Sequence, residues 1–284
     1  MTLVRVDMFK KLLTGHLPLL LVLCCLHGCS NKFKPAEPDF SYSHLPSRLA
    51  PIPPPYISDR YLLEIDQERI ELTREYLRLH HRNYYQRLPE ENTLETITFE
   101  PRIVVVHYTV MTTLEEVIDY FKPNKIASAR TKIAANGALN VGVQFIVDRD
   151  GAIYRFYPEN VISRHTIGLN HTSIGIENVG DADLDSQYGK APLTPEQLEA
   201  NARLIHYLKE RYSTIDFVIG HSEYRELEDY RHPAHNLFKE DKIGYRTEKS
   251  DPGPVFMSAL RNILGQWADE SDNRRQYQDP GDFE

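Results

Sequence analysis

Two histidines and an aspartate, His107, His221 and Asp251, are the residues of this 284-residue chain whose types could together hold a divalent metal. The first ends the apolar, β-branched run Ile103-Val104-Val105-Val106-His107-Tyr108-Thr109, and the second ends Phe217-Val218-Ile219-Gly220-His221-Ser222-Glu223. Asp251 lies in Glu248-Lys249-Ser250-Asp251-Pro252-Gly253-Pro254-Val255-Phe256, which runs into a helix-patterned segment. Proline suits the first turn of a helix but not its interior, so Pro252 and Pro254 set where that helix starts. Asp251 is thereby expected at or near the N-cap, with Phe256, Leu260, Ile263 and Trp267 as the buried stripe behind it. Lys249, two residues earlier, puts a cation beside this anion. Two imidazoles and one carboxylate are ligands that zinc takes in open catalytic sites. The same residues also read as two strand-end histidines and a capped helix. They are far apart in sequence, and neither H-E-x-x-H nor paired C-x-x-C is present.

The order of five motifs carries a resemblance. Val104 to Thr109 is followed by Val143-Gln144-Phe145-Ile146-Val147-Asp148-Arg149-Asp150-Gly151-Ala152-Ile153-Tyr154, then by Asn170-His171-Thr172-Ser173-Ile174-Gly175-Ile176-Glu177. Gly220-His221-Ser222-Glu223 and Lys249-Ser250-Asp251-Pro252-Gly253-Pro254 complete the set. Over residues 100–265 the chain resembles the zinc-dependent N-acetylmuramoyl-L-alanine amidases of the peptidoglycan-recognition superfamily.

That resemblance implies one Zn2+ ion held by His107, His221 and Asp251. It implies Glu177 as the catalytic glutamate acting on water, and Lys249 as the lysine that steadies the tetrahedral intermediate. Without it, Glu177 reads as a solubilising charge on an edge strand and Lys249 as a solvated side chain. Strand alternation puts Ser173, Gly175 and Glu177 on one face. His165 and Asn170 match positions near the substrate, and either a substrate contact or a structural hydrogen bond suits them. Gln144 is assigned no role. The stretch from Glu223 to Glu248 is longer than in many relatives and is expected to cover the cleft; its His232 and His235 are not read as a second metal site.

The implied function is hydrolysis of the amide between N-acetylmuramic acid and L-alanine in peptidoglycan or muropeptides, in cell-wall turnover or remodelling. The alternative is a non-catalytic peptidoglycan-binding lipoprotein on the same fold, whose mark would be a lost metal ligand; a metal carrier would need no Glu177 or Lys249.

Arg5, Lys10 and Lys11 precede the apolar run Leu19 to Leu26, too short for a comfortable membrane span, which leads into Leu26-His27-Gly28-Cys29. Residues 1–28 are read as a lipoprotein signal peptide and Cys29 as the acylated residue, although His27 departs from the small residue usual there. Ser30, which is not aspartate, fits outer-membrane sorting. The expected location is the periplasmic side of a bacterial envelope, held to the membrane by this lipid anchor. All three cysteines lie at this end, so no disulfide is expected in the folded part. Loss of Arg5, Asp7, Lys10 and Lys11 takes the formal net charge from −8 to −10, and such an acidic body argues against nucleic-acid partners.

The remaining elements follow from pattern. Residues 29–57 hold seven prolines between Pro35 and Pro55 and are expected to form an extended tether. Residues 58–98 form a helical lead-in, with Ser58 capping a helix to about Tyr84. Residues 99–268 make up the amidase domain and 269–284 a polar tail. Thr112 and Thr113 with Glu115 and Glu116 offer overlapping capping boxes, as do Thr194-Pro195-Glu196-Gln197. Residues 142–148 and 152–157 read as a hairpin about Arg149-Asp150-Gly151, and 174–178 as a strand. The order strand, helix, hairpin, strand, helix, strand, helix predicts an α/β fold, a mixed central β-sheet flanked by α-helices, the architecture the peptidoglycan-recognition resemblance also implies.

Overall fold

The computed structural model describes residue 40 and residues 43–268. In chain order its elements are β1 (Ile57–Ser58), α1 (Gln67–His80), α2 (Arg82–Tyr85), β2 (Ile103–Tyr108), α3 (Leu114–Phe121) and α4 (Thr131–Ala134). They continue with β3 (Phe145–Val147), β4 (Ile153–Arg155), β5 (Ser173–Asn178), α5 (Pro195–Arg211), β6 (Phe217–Gly220) and α6 (Pro254–Gln266). The signal segment 1–28, Cys29 and the tail 269–284 lie outside the described residues.

Ile103 to Val106 offer no polar face, and a strand apolar on both sides is stable only inside a sheet. β2 accordingly lies between β5 and β6 in a sheet of order β1-β4-β3-β5-β2-β6. Every pairing is parallel except the β3–β4 hairpin, so the sheet is mixed, and helices flank it. Alternate side chains go to opposite faces. Val104, Val106, Ile174, Ile176 and Val218 pack with Leu204, Ile205 and Leu208 of α5 and Phe256, Leu260 and Leu264 of α6. Ile103, Val105, Phe217 and Ile219 pack on the other face with Leu169, Tyr224 and Leu227.

Of the overlapping boxes at the head of α3 the Thr113–Glu116 one forms, and the box on α5 forms as the pattern put it. Thr113 Oγ1 accepts from Glu116 N at the head of α3, and Thr194 with Gln197 closes the same motif on α5. The hairpin turn is made by Gly151 at φ +83°, whose N–H donates to Asp148 O.

Three expectations shift. The lead-in helix starts at Gln67, not after Ser58. Ser58 pairs with Tyr154 in the sheet, and the cap is Asp66, whose carboxylate accepts from Arg69 N at 2.8 Å. Residues 43–58 of the proline-rich segment lie along the domain instead of standing off it. Leu45 and Leu49 are buried, and Leu45 N donates to Asp216 O at 2.8 Å. Burying a leucine side chain contributes roughly 1.5–3 kcal/mol, enough to dock a strip whose prolines already limit its freedom. Asp251, finally, lies near the N-cap of α6, two residues before it, but does not occupy it. That position is Gly253, at φ +104° and without a side chain to accept a bond.

Candidate metal centre

Three neighbouring parallel strands deliver the site. His107 is the register partner of Glu177 across β2 and β5. Val106 pairs with Gly220 across β2 and β6, so His221, the next residue, falls level with His107. Glu177, His107 and His221 therefore stand in a row at the carboxyl ends of β5, β2 and β6, where open α/β sheets place their sites. Asp251 reaches the row from the turn before α6, with its carbonyl accepting from Ser222 N at 2.9 Å.

The side chains converge. His107 Nδ1 and His221 Nδ1 are 2.9 Å apart, and Asp251 Oδ2 lies 3.0 Å from His221 Nδ1 and 3.3 Å from His107 Nδ1. All three residues are buried, and their ligand atoms fall within 4.8 Å of one another. Burial holds both imidazoles neutral: His107 is pushed below the usual histidine range against the pull of Asp251, and His221 falls to about 4. Burial alone would raise Asp251, yet the two adjacent imidazoles outweigh it and hold its carboxyl ionised, well below the usual carboxylate range. Two neutral nitrogens and one carboxylate oxygen pointing at one spot are donors that fit zinc, with coordination positions left open for water and substrate.

Glu177 is 8 % exposed on an interior strand, so it is no edge-strand charge. Burial pushes its pKa well above the usual value, the Asp251 carboxylate adds to this, and the Lys249 ammonium opposes it. Lys249 is exposed at the mouth and lines the same cavity of about 400 Å³ as His107, Glu177, His221 and Asp251.

His165 and Asn170 form the neighbouring wall. His165 Nδ1 lies 3.1 Å from His107 Nε2. Asn170 is 1 % exposed, and its carboxamide is taken up within the protein. Its Oδ1 accepts from His165 N and Thr166 N, and its Nδ2 donates to Tyr76 Oη on α1 at 2.9 Å. Asn170 thus orients the loop. Buried Gln144 ties strands together, accepting from Gly175 N and donating to Val161 O, both at 2.7 Å. From the 223–248 stretch, Tyr245, Arg246 and Thr247 line a second cavity of about 310 Å³ beside His165 and His221. His232 and His235 have structural partners: His232 Nδ1 accepts from Ala234 N, its Nε2 lies 3.4 Å from Ser43 Oγ, and His235 Nδ1 donates to Leu227 O.

The residue that sequence reasoning missed is Asp183. Its carboxylate accepts from Val255 N at 2.9 Å and Phe256 N at 2.8 Å, capping α6 from a separate loop. A helix opened by Gly253 and Pro254 has no acceptor of its own, which was the available signal.

The family model described as N-acetylmuramoyl-L-alanine amidase (Amidase_2) matches residues 98–254, more than half of the chain. The chain belongs to this amidase family. Its curated relatives include the endolysin of Escherichia phage T7, 36% identical over 76 residues, which are 27% of this chain and 50% of the phage protein. The chain thus spans about half the length of the curated relatives it matches. Among solved structures it is similar to the endolysin N-acetylmuramoyl-L-alanine amidase LysCS from Clostridium intestinale URNW at 26% identity and a TM-score of 0.33, covering 49% of this chain and 82% of that one. It is also similar to the amidase AmiD from E. coli, solved with anhydro-N-acetylmuramic acid-L-Ala-D-gamma-Glu-L-Lys, at 19% identity and a TM-score of 0.39, covering 58% of each chain.

Proposed function

We propose that this amidase-family chain is a zinc hydrolase that cleaves the amide between the lactyl group of N-acetylmuramic acid and the L-alanine of the stem peptide, in turnover or remodelling of the cell wall. The observation that carries the reading is the convergence of His107 Nδ1, His221 Nδ1 and Asp251 Oδ2 beside a buried Glu177. Those three residues would hold the ion. Zinc so held supplies Lewis acidity, which polarises an amide carbonyl and eases deprotonation of water.

The chain's own groups do the rest. Glu177, with its raised pKa, is suited to take a proton from the attacking water and pass it to the nitrogen of the departing L-alanine. Water oxygen bonds to the carbonyl carbon, the carbon–nitrogen bond breaks, and the lactyl carboxylate and a free peptide amine result. Lys249 at the cleft mouth brings positive charge to the oxygen that becomes negative on the way.

The location is part of the same proposal. The basic start, the short apolar run and Cys29 support an acylated lipoprotein on the periplasmic face of the outer membrane. Labelling with a fatty-acid analogue should mark the wild type and leave Cys29→Ser unmarked; equal labelling of both would remove the anchor from the reading.

Activity is tested with purified protein and muropeptides, with and without chelator. Release of intact stem peptides that stops on chelation is expected, with His107→Ala inactive for want of metal and Glu177→Ala inactive though metal-loaded. Muropeptide binding without cleavage by folded, zinc-loaded protein would overturn the hydrolase reading.

A further inference from the structure

His107 turns Nδ1 toward His221 and Asp251, and with a metal held at that nitrogen the neutral ring carries its hydrogen on Nε2. That atom faces His165 Nδ1 at 3.1 Å, with Thr166 Oγ1 at 3.5 Å. His165 then accepts at Nδ1, which Thr166 Oγ1 also approaches at 2.9 Å, and carries its own hydrogen on Nε2, which faces the carbonyl oxygen of Ser173 at 3.3 Å. The two rings meet edge to face at 84°, as an N–H aimed at an in-plane lone pair allows.

The backbone that carries His165 is held in place by its neighbours. Its N–H and that of Thr166 both end on Asn170 Oδ1, and Asn170 is anchored to Tyr76 Oη. The preceding Arg164 donates to the carbonyls of Ile133, Gly137 and Leu139 at 2.8–2.9 Å. Below the imidazole lies Gly175, where a Cβ would come within 3.0 Å of His165 Cγ and Nδ1. The ring thus rests on bare backbone of β5, two residues from Glu177.

We propose that His165 is a positioning residue, whose Nδ1 accepts the Nε2–H of His107 and so holds that ring with Nδ1 turned to the metal. The inference rests on the zinc reading above. Partners of this kind set the tautomer and orientation of a ligating imidazole, and losing one typically costs 10–100-fold in metal affinity. The chain of bonds reaches back to Tyr76 on α1, a helix outside the stretch matched by the family model. That helix belongs to the working site and is no mere appendage.

The test measures zinc affinity of the purified full chain by competition with a chromophoric chelator, alongside the visible spectrum of the cobalt-loaded protein and the melting of the metal-free form. His165→Leu should weaken zinc binding about 10–100-fold and alter the cobalt spectrum, while metal-free melting stays close to wild type. His165→Asn places an acceptor oxygen where Nδ1 was and should recover most of the affinity. Should His165→Leu not fold, nitrogen-15 NMR of the zinc-loaded wild type decides: His107 and His165 must both carry hydrogen on Nε2. Unchanged zinc affinity and cobalt spectrum with only KM raised would make His165 a substrate contact and overturn the proposal, as would a protonated Nδ1 on His165. A wild type that takes up no zinc defeats the earlier reading itself, a result distinct from these.

Discussion

His107 and Glu177 are register partners on adjacent parallel strands, so the imidazole of the candidate metal centre and the buried carboxyl are held at one level by backbone hydrogen bonds. The spacing between the candidate metal ligand and the carboxyl proposed to carry the proton is thus built into the sheet. Such a carboxyl suits catalysis and burdens stability. Burial raises the pKa of Glu177, so the folded chain keeps this proton at pH values where the unfolded chain has released it. The sign follows: stability is lost as pH rises from the ordinary carboxylate range through the raised value. Glu177→Gln should lower kcat by roughly 10²–10⁴-fold while zinc stays bound. In the metal-free protein above neutral pH the same change should raise stability by roughly 0.5–2 kcal/mol. Urea unfolding at pH 5 and pH 8 checks this, and equal effects at the two values would contradict it.

Asp183 caps the helix that follows Asp251, although the two belong to different loops. Asp183→Ala should cost about 1–2 kcal/mol, the usual loss for a helix cap. Because the turn carrying Asp251 depends on that helix start, the variant should also release zinc to a chelator faster than wild type, with Asp183→Asn in between. Release at the wild-type rate would separate the cap from the site.

Gly253 makes the neighbouring case. An added Cβ would lie 2.2 Å from Asp183 Cγ, and φ is +104°. Gly253→Ala should therefore be more damaging than Asp183→Ala, and the double variant should recover only the steric part, since the backbone strain remains. Thermal melting of the three variants gives the comparison, and full recovery in the double variant would rule out the strain.

His80 and Glu240 form a fully buried pair, Nδ1 to Oε1 at 2.9 Å, and His80 Nε2 faces Asn136 O at 2.9 Å. Both ring nitrogens of this buried imidazole thus face acceptor oxygens. The pair ties α1 to the 223–248 stretch that lines the second cavity. Glu240→Gln should destabilise the protein by about 3–5 kcal/mol by breaking one half of this buried pair, while His80→Leu with Glu240→Leu should cost less. Chemical denaturation decides, and a near-neutral Glu240→Gln would show that the pair does not hold α1 to that stretch.

Acid should act through buried neutral histidines. Burial pushes His171 down to about 4 and His81 well below the usual histidine value, aided by the charges around them. The unfolded chain takes up these protons near pH 6.5 and the folded chain does not. Stability of the metal-free protein should therefore fall as pH drops from about 6.5 to about 4, by up to roughly 3 kcal/mol for His171. His171→Asn should flatten that slope, and an unchanged slope would show that His171 is not a source.

What could be read in the chain before folding was local or ordered along it. Thr113 with Glu116 and Thr194 with Gln197 announce helix starts because their bonding partners lie three residues away. Ile103 to Val106 announce an interior strand because neither face is polar. The set His107, His221, Asp251, Glu177 and Lys249 emerged from the order of motifs, since chemistry alone favoured two strand-end histidines and a capped helix. Tertiary structure decided the rest, because the interactions concerned join residues with no sequence relation. Only the β2–β5–β6 register puts His107, Glu177 and His221 on one line. Only a distant loop supplies Asp183 to a helix whose own cap is glycine, and only the closing of α1 onto the wall turns Tyr76, Asn170 and His165 into one bonded chain. Local propensity is encoded within a few residues. Convergence of side chains across the fold depends on how sheet and loops pack, and no stretch of sequence carries that alone.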